Sequence, residues 1–228
     1  MGMDKDKTYS EMLFEEFCSK RKIKFDKIST GENRTPDYRV FIYGNEIIAE
    51  IKQIDMNPEE RQEYDKFKKG GMAVGSNTIG KRVGKKITDA NQQLSKLTSG
   101  RHPAICIIYD NTPLGYHTDP DNIRFGMFGL PTAIIAKSTD RSFKSSLIDW
   151  IFGKNRKMTR NTNTSTSVVA AMFREIDDSE YPPYLIAYHN VYAKIELKSE
   201  ILAKIGVRQF TLSEDTEGNY QEWVEISK

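Results

Sequence analysis

The chain is poor in the residues that usually announce a metal or redox centre. Among 228 residues there are two cysteines and three histidines, and Cys18 and Cys106 lie in separate apolar stretches. With no paired spacing, a zinc finger and a disulfide framework are both excluded. Long hydrophobic runs are also missing, so nothing approaches the roughly 20 apolar residues that a membrane helix needs. The opening MGMDKDKTYS has no apolar core for a signal peptide. A reduced, cytoplasmic protein without a membrane partner is therefore expected. Charge of one sign is not in excess either: 34 Lys and Arg stand against 32 Asp and Glu, a net +2. A polyanionic partner must be argued from where the cations sit rather than from their total.

Periodicity supplies the elements. Leu13, Phe14, Phe17 and Cys18 share one helical face over residues 12–21, with Thr8 or Ser10 as cap. Residues 23–28 read as a short strand. Residues 38–43 and 46–54 read as two strands around Gly44 and Asn45, which predicts a type II′ hairpin. A charged helix follows Pro58. Residues 66–86 hold seven Lys or Arg, no acid and five glycines, which predicts a mobile cationic loop. Val83, Ile87, Ala90, Leu94 and Leu97 then predict an amphipathic helix starting near the end of that loop. The run AICIIYD, residues 104–110, suits a central strand buried on both faces. Further strands are predicted at 132–136, 168–173, 185–189 and 220–226, and a helix at 143–152. No repeat or linker interrupts the chain. The expectation is one α/β domain over 1–228, with a motif-bearing core at 9–110 and an elaboration at 111–228.

The hairpin gathers charge. With Gly44 and Asn45 as turn residues, Asp37 opposes Lys52, Arg39 opposes Glu50 and Phe41 opposes Ile48. One side of the sheet then carries Asp37, Glu50 and Lys52; the other carries Tyr38, Val40, Ile42, Ile47, Ala49 and Ile51. A slip of one residue would destroy this sorting. Two carboxylates about 5 Å apart repel by roughly 3 kcal/mol at an effective dielectric near 20. Lys52 offsets part of that, and a divalent ion with hard oxygen ligands does so more fully. Such an ion polarises a phosphoryl oxygen and acidifies a bound water, and the Lys52 amine beside it can orient or deprotonate that water. The competing reading is a pair of ion pairs, Asp37 to Lys52 and Arg39 to Glu50, that only hold the register.

Pro36-Asp37, a strand and turn, then Glu50-Ile51-Lys52 resembles the PD-(D/E)xK signature of the restriction-endonuclease-like nucleases. The order of elements from the first helix to Asp110, about half the chain, is similar too. The resemblance implies a restriction-endonuclease-like core: a central mixed sheet flanked by helices in αβββαβ order, here with C-terminal additions. It implies hydrolysis of phosphodiester bonds with Mg²⁺, for which Mn²⁺ can substitute. Asp37, Glu50 and the Ile51 carbonyl become metal ligands, and Lys52 the catalytic lysine. An acid from the first helix often joins such sites. Of Glu11, Glu15 and Glu16, Glu11 lies nearest the apolar stripe and is selected, against the alternative of a solvated first-turn glutamate. Gln53 is added as a polar neighbour of the site. Lys85, Gln92 and Gln93 resemble the family's helix after the motif, against the alternative of exposed polar positions.

Cations for a phosphate backbone are assigned to Lys81, Arg82, Lys85, Lys86, Lys154, Arg156, Lys157 and Arg160, in two stretches nearly free of acids. GSNTIGK, residues 75–81, has P-loop spacing, but Arg82 stands where a hydroxyl should meet magnesium, so nucleotide hydrolysis is rejected. His189-Asn190 is left outside the site. The expected activity is a metal-dependent nuclease, on DNA rather than RNA, in the manner of a restriction endonuclease. A homodimer is the expected form if both strands of a duplex are cut. The alternative is an inactive nucleic-acid-binding or assembly module that keeps the fold.

Overall fold

The computed structural model describes residues 7–29, 35–72, 78–98, 100–136, 146–153, 156–175, 181–213 and 222–226. Its first helix, α1 (Tyr9–Lys20), starts at Thr8 in a capping box: the Thr8 side chain accepts from the Glu11 N–H, and Glu11 reaches back to the Thr8 N–H. Strands β1 (Lys24–Lys27), β2 (Tyr38–Ile42) and β3 (Asn45–Ile54) form an antiparallel meander. Two helices follow, α2 (Pro58–Lys68) and α3 (Lys81–Thr98), and then β4 (Ala104–Asp110), which pairs parallel with β3.

Beyond β4 come a 3-10 turn (Tyr116–Thr118), α4 (Pro120–Phe128), β5 (Pro131–Ala136), β6 (Ser146–Phe152), β7 (Val168–Phe173), β8 (Tyr184–His189), α5 (Ser199–Ala203), β9 (Arg208–Leu212) and β10 (Trp223–Glu225). Eight of these strands build one mixed sheet in the order β1-β2-β3-β4-β7-β8-β9-β10, while β5 and β6 pair only with each other. The architecture is α/β, a large mixed sheet with helices on both faces.

Alternation along the strands explains the two layers. Tyr38, Val40 and Ile42 of β2 and Ile47, Ala49 and Ile51 of β3 pack with Leu13, Phe14, Phe17 and Cys18 of α1. On the opposite face Ile48 and Ile54 pack with Val83, Ile87, Ala90 and Leu94 of α3 and with Ile123, Met127 and Phe128 of α4. β4 contributes Ile105 and Ile107 to the first core and Ala104, Cys106 and Ile108 to the second, as a central strand must. Among the described residues no helix is long and apolar enough to cross a membrane.

Several expectations need correction. The hairpin turns at Tyr43 and Gly44, both with positive φ (47° and 82°), and Ile42 pairs with Asn45. That is the geometry of a type I′ turn, which needs positive φ at both central residues, in place of the type II′ turn expected at Gly44-Asn45. Arg39 therefore opposes Ile48 rather than Glu50, and Phe41 opposes Glu46. The shift is two residues, so each side chain keeps its face. Most cations of the segment stand on helices: α2 runs to Lys68 and α3 begins at Lys81, so Lys66, Lys68, Lys81, Arg82, Lys85 and Lys86 are helical; residues 73–77 lie outside the described part.

The helix predicted at 143–152 is a strand where it is described, β6, because its β-branched and aromatic residues pair with β5. α4, α5 and β9 have no counterpart among the elements expected from the sequence.

Candidate active site

Asp37 lies one residue before β2, where Pro36 can donate nothing to the ladder. Its Oδ2 accepts from the Ile51 N–H at 2.8 Å, standing in for the next bond between β2 and β3. The Ile51 C=O lies on the same strand edge as its N–H, so it faces Asp37 as well. Continuing the observed register by one residue sets Asp37 against Glu50, closer than the diagonal placement expected from the sequence.

Glu50 is 1 % exposed. Its Oε1 is hydrogen-bonded by the Lys52 ammonium, and its Oε2 is buried without a protein partner. Burial, then the Asp37 charge, pushes the Glu50 carboxyl up to about 8 against the pull of Lys52. Burial also raises Asp37, although the Ile51 N–H and Lys52 oppose the change. Both acids thus resist ionising together, as crowded buried carboxyls must.

Lys52 is held from a second side. Its Nζ donates to Gln93 Oε1 at 2.7 Å, and Gln93 Nε2 donates to the Thr35 carbonyl at 3.0 Å. Gln93, which the sequence allows as either a family-like position or an exposed one, is half-buried on the face of α3 that covers β3. Arg39 does not compete for Glu50: it sits 3.4 Å from Glu46.

The three carboxylates of α1 have separate tasks. Glu15 accepts from the Tyr38 hydroxyl at 2.9 Å and from Lys7, and Glu16 pairs with Arg174. Glu11 combines its capping role with an ion pair to Lys27 at 3.1 Å. Burial alone would push it up, but Thr8 and Lys27 outweigh that and hold it below the usual range. Its charge is felt at Asp37, where it raises the carboxyl. Gln53 points to the α1 side: its Oε1 accepts from the Ser10 N–H at 3.0 Å and its Nε2 donates to Asp55.

The donor set suits a hard cation. Two carboxylates and a carbonyl leave several positions for water, which Mg²⁺ retains by preference, and the orphaned Glu50 Oε2 is the atom such an ion would satisfy. Among the described residues no group of three or more His, Cys, Asp or Glu converges on one point, and Glu11 is engaged with Thr8 and Lys27.

Further cations lie on and beside α3. Gly80, at φ 72°, and Gly126 let α3 and α4 touch: a Cβ at Gly80 would lie 2.5 Å from the Gly126 nitrogen. Gly84 admits the Lys157 stem, whose Cγ would be 3.1 Å from a Cβ there. The two basic stretches, separate in the sequence, therefore meet, Lys157 lying over the helix that exposes Lys81 and Lys85. Arg156 and Arg160 are exposed nearby in sequence; Lys154 lies outside the described residues.

Arg82 is differently engaged. Its Nη1 donates to both Glu60 oxygens at 2.8 and 2.6 Å, its Nη2 donates to the Asp55 carbonyl, and His117 Nε2 is 3.1 Å away. It ties α2, which buries none of its own residues, to α3 and the end of β3. Lys86 is half-buried, and burial followed by the Lys52 charge lowers its ammonium. His189, outside the expected site, is buried and bonds Gln209 at 2.9 Å. Comparison with protein-family models, curated proteins and solved structures gives no match.

Proposed function

We propose that the protein is a metal-dependent nuclease of the restriction-endonuclease-like kind, hydrolysing phosphodiester bonds in DNA. One observation carries the reading: Asp37 and Glu50 are pressed together in a buried site with an unpartnered Glu50 oxygen, beside a lysine held in place by Gln93. A protein gains nothing in stability from two crowded buried acids, and such pairs mark functional sites. The order of α1, the β1–β3 meander, the helices and the parallel β4 supports the same reading.

In this account Asp37, Glu50 and the Ile51 carbonyl hold Mg²⁺ or Mn²⁺. The bound ion would supply Lewis acidity toward a phosphoryl oxygen and an acidified water. Lys52, directed by Gln93, orients that water, assists its deprotonation and faces the charge that develops on the phosphate. Glu11 acts on the site through Asp37. Lys81, Lys85, Lys157, Arg156 and Arg160 neutralise the backbone of the substrate. Arg82 is left out, its guanidinium being committed to Glu60 and Asp55, and Gln53 serves the α1 terminus.

A second reading has its own support. The Lys52–Glu50 ion pair already neutralises one carboxylate, as in an inactive module that binds nucleic acid without cutting it. Incubation of plasmid, single-stranded DNA and RNA with wild type and Lys52→Ala, with and without Mg²⁺ or Mn²⁺, separates the two. Cleavage of DNA that needs metal and Lys52 supports the nuclease. Salt-sensitive binding without cleavage supports the module.

A further inference from the structure

We infer that Lys86 on α3 and Lys52 on β3 form a seat for one phosphate group of a nucleic-acid strand, held between the two ammonium groups. α3 is pinned to β3 at two points. Arg82 donates to the Asp55 carbonyl at the end of β3, and Gln93 accepts from the Lys52 ammonium at 2.7 Å. Lys86 stands between them, one turn after Arg82 and two turns before Gln93 on the same helical face. Electrostatics place its ammonium over the strands. It feels the charges of Lys52, Asp55 and Asp89, and its own charge reaches the Cys106 thiol, which pairs with Glu50 across β3 and β4.

A partly buried amine beside another amine calls for an acid, and the protein supplies none in contact. Among the described residues the Lys86 ammonium makes no hydrogen bond or ion pair. The Asp55 Oδ1 already accepts from Gln53 and Asn111, at 2.7 and 2.8 Å. Lys52 uses two of its three N–H groups on Glu50 and Gln93. One donor of Lys52 and all three of Lys86 are therefore open to a ligand. Burial and then the Lys52 charge lower the Lys86 ammonium, so the free protein holds two like charges together in an arrangement that a bound anion would relieve. Both amines can be reached: Lys52 keeps 18 % of its side chain exposed, and Lys86 is half-buried.

Phosphate fits the seat better than a carboxylate. A tetrahedral anion offers oxygens to both amines and a further one toward a cation held by Glu50, from which Lys52 is one hydrogen bond away. The inference rests on the nuclease reading for the source of that phosphate, a strand of nucleic acid, and not for the seat itself. It sets Lys86 apart from exposed Lys81 and Lys85, which meet the backbone at large.

Calorimetric titration of inorganic phosphate into the metal-free protein at low salt tests the seat. Wild type is expected to bind saturably. Lys86→Met, which keeps the stem without the charge, is expected to bind roughly 10-fold more weakly and to melt at or above the wild-type temperature, because the like charge beside Lys52 is gone. Lys86→Arg is expected to restore binding, and Lys81→Met to change it by less than about 2-fold. Should Lys86→Met misfold, acetylation of wild type decides: saturating phosphate is expected to protect Lys86, but not Lys81 or Lys85, as read by mass spectrometry. A DNA duplex without terminal phosphates is expected to displace the phosphate from wild type. The inference is overturned by no phosphate binding in wild type, by equal binding in the folded Lys86→Met variant, by an equal loss in Lys81→Met, by no protection of Lys86, or by a duplex that displaces nothing. Lys86-dependent binding of phosphate and duplex by a protein that cuts no DNA with Mg²⁺ or Mn²⁺ supports the seat and contradicts the nuclease reading, so the two fail separately.

Discussion

Gln93 on α3 accepts a hydrogen bond from the Lys52 ammonium on β3 at 2.7 Å and passes the constraint to the Thr35 carbonyl at 3.0 Å. Two elements far apart in sequence thus aim one amine. Gln93→Ala is expected to lower the cleavage rate roughly 10- to 100-fold, because a misdirected catalytic group loses positioning rather than chemistry. Metal affinity should change by less than about 3-fold, since Gln93 supplies no ligand in this account. Single-turnover rates and calorimetric metal binding read the two effects separately.

The raised Glu50 pKa sets a pH dependence. Its folded value of about 8 lies above the ordinary 4.5. The associated stability is fully present below about 4.5 and is lost as pH rises through about 8, where the carboxyl must ionise while buried. Without metal, the protein should lose roughly 2–4 kcal/mol over that window. Divalent affinity should rise over the same window with release of protons, because the ion binds the ionised form. Glu50→Gln is expected to flatten the stability profile in urea unfolding and to abolish metal binding.

The cations on α3 divide by role. Replacing Lys81 and Lys85 together by Ala should reduce the slope of log affinity against log salt on duplex DNA by about 1.8, at about 0.9 for each phosphate no longer neutralised. Arg82→Ala should leave that slope unchanged. It should instead cost about 1–3 kcal/mol through the lost bonds to the Glu60 carboxylate and the Asp55 carbonyl, and expose α2 to limited proteolysis.

The approach of α3 to α4 depends on glycine. Gly80→Ala would put a Cβ 2.5 Å from the Gly126 nitrogen on a residue with φ 72°. Backbone cannot yield there as a side chain could, so about 2–4 kcal/mol of destabilisation is expected. That corresponds to a fall in melting temperature of about 4–16 °C for a chain of this size.

The faces of the hairpin were legible in the sequence although its register was not. Alternation has a period of two, so registers that differ by two residues predict the same core, and only the turn distinguishes them. Tyr43 carries a positive φ that its side chain does not advertise, whereas Gly44-Asn45 has the composition of a turn. Asp37, Glu50 and Lys52 therefore fall on one side under either register.

Other features depend on contacts that no local pattern encodes. Glu50 receives its orphaned oxygen from close packing, and Lys157 lies so near Gly84 that a Cβ there would be 3.1 Å from its Cγ. The commitment of Arg82 to Glu60 requires α2 to fold back on α3. In β6 the apolar residues fit a helical or an extended reading equally, and pairing with β5 decides. The start of α4 does have a local signal, Asp119 capping the helix and Pro120 in its first turn, although no helix was expected there.

Titration of Mn²⁺ into wild type and into Asp37→Ala near pH 8, followed by calorimetry, tests the central claim most directly. Saturable binding in wild type that disappears in the folded Asp37→Ala variant is the predicted result. Equal binding by both proteins, or none by wild type, would contradict a divalent ion held between Asp37 and Glu50.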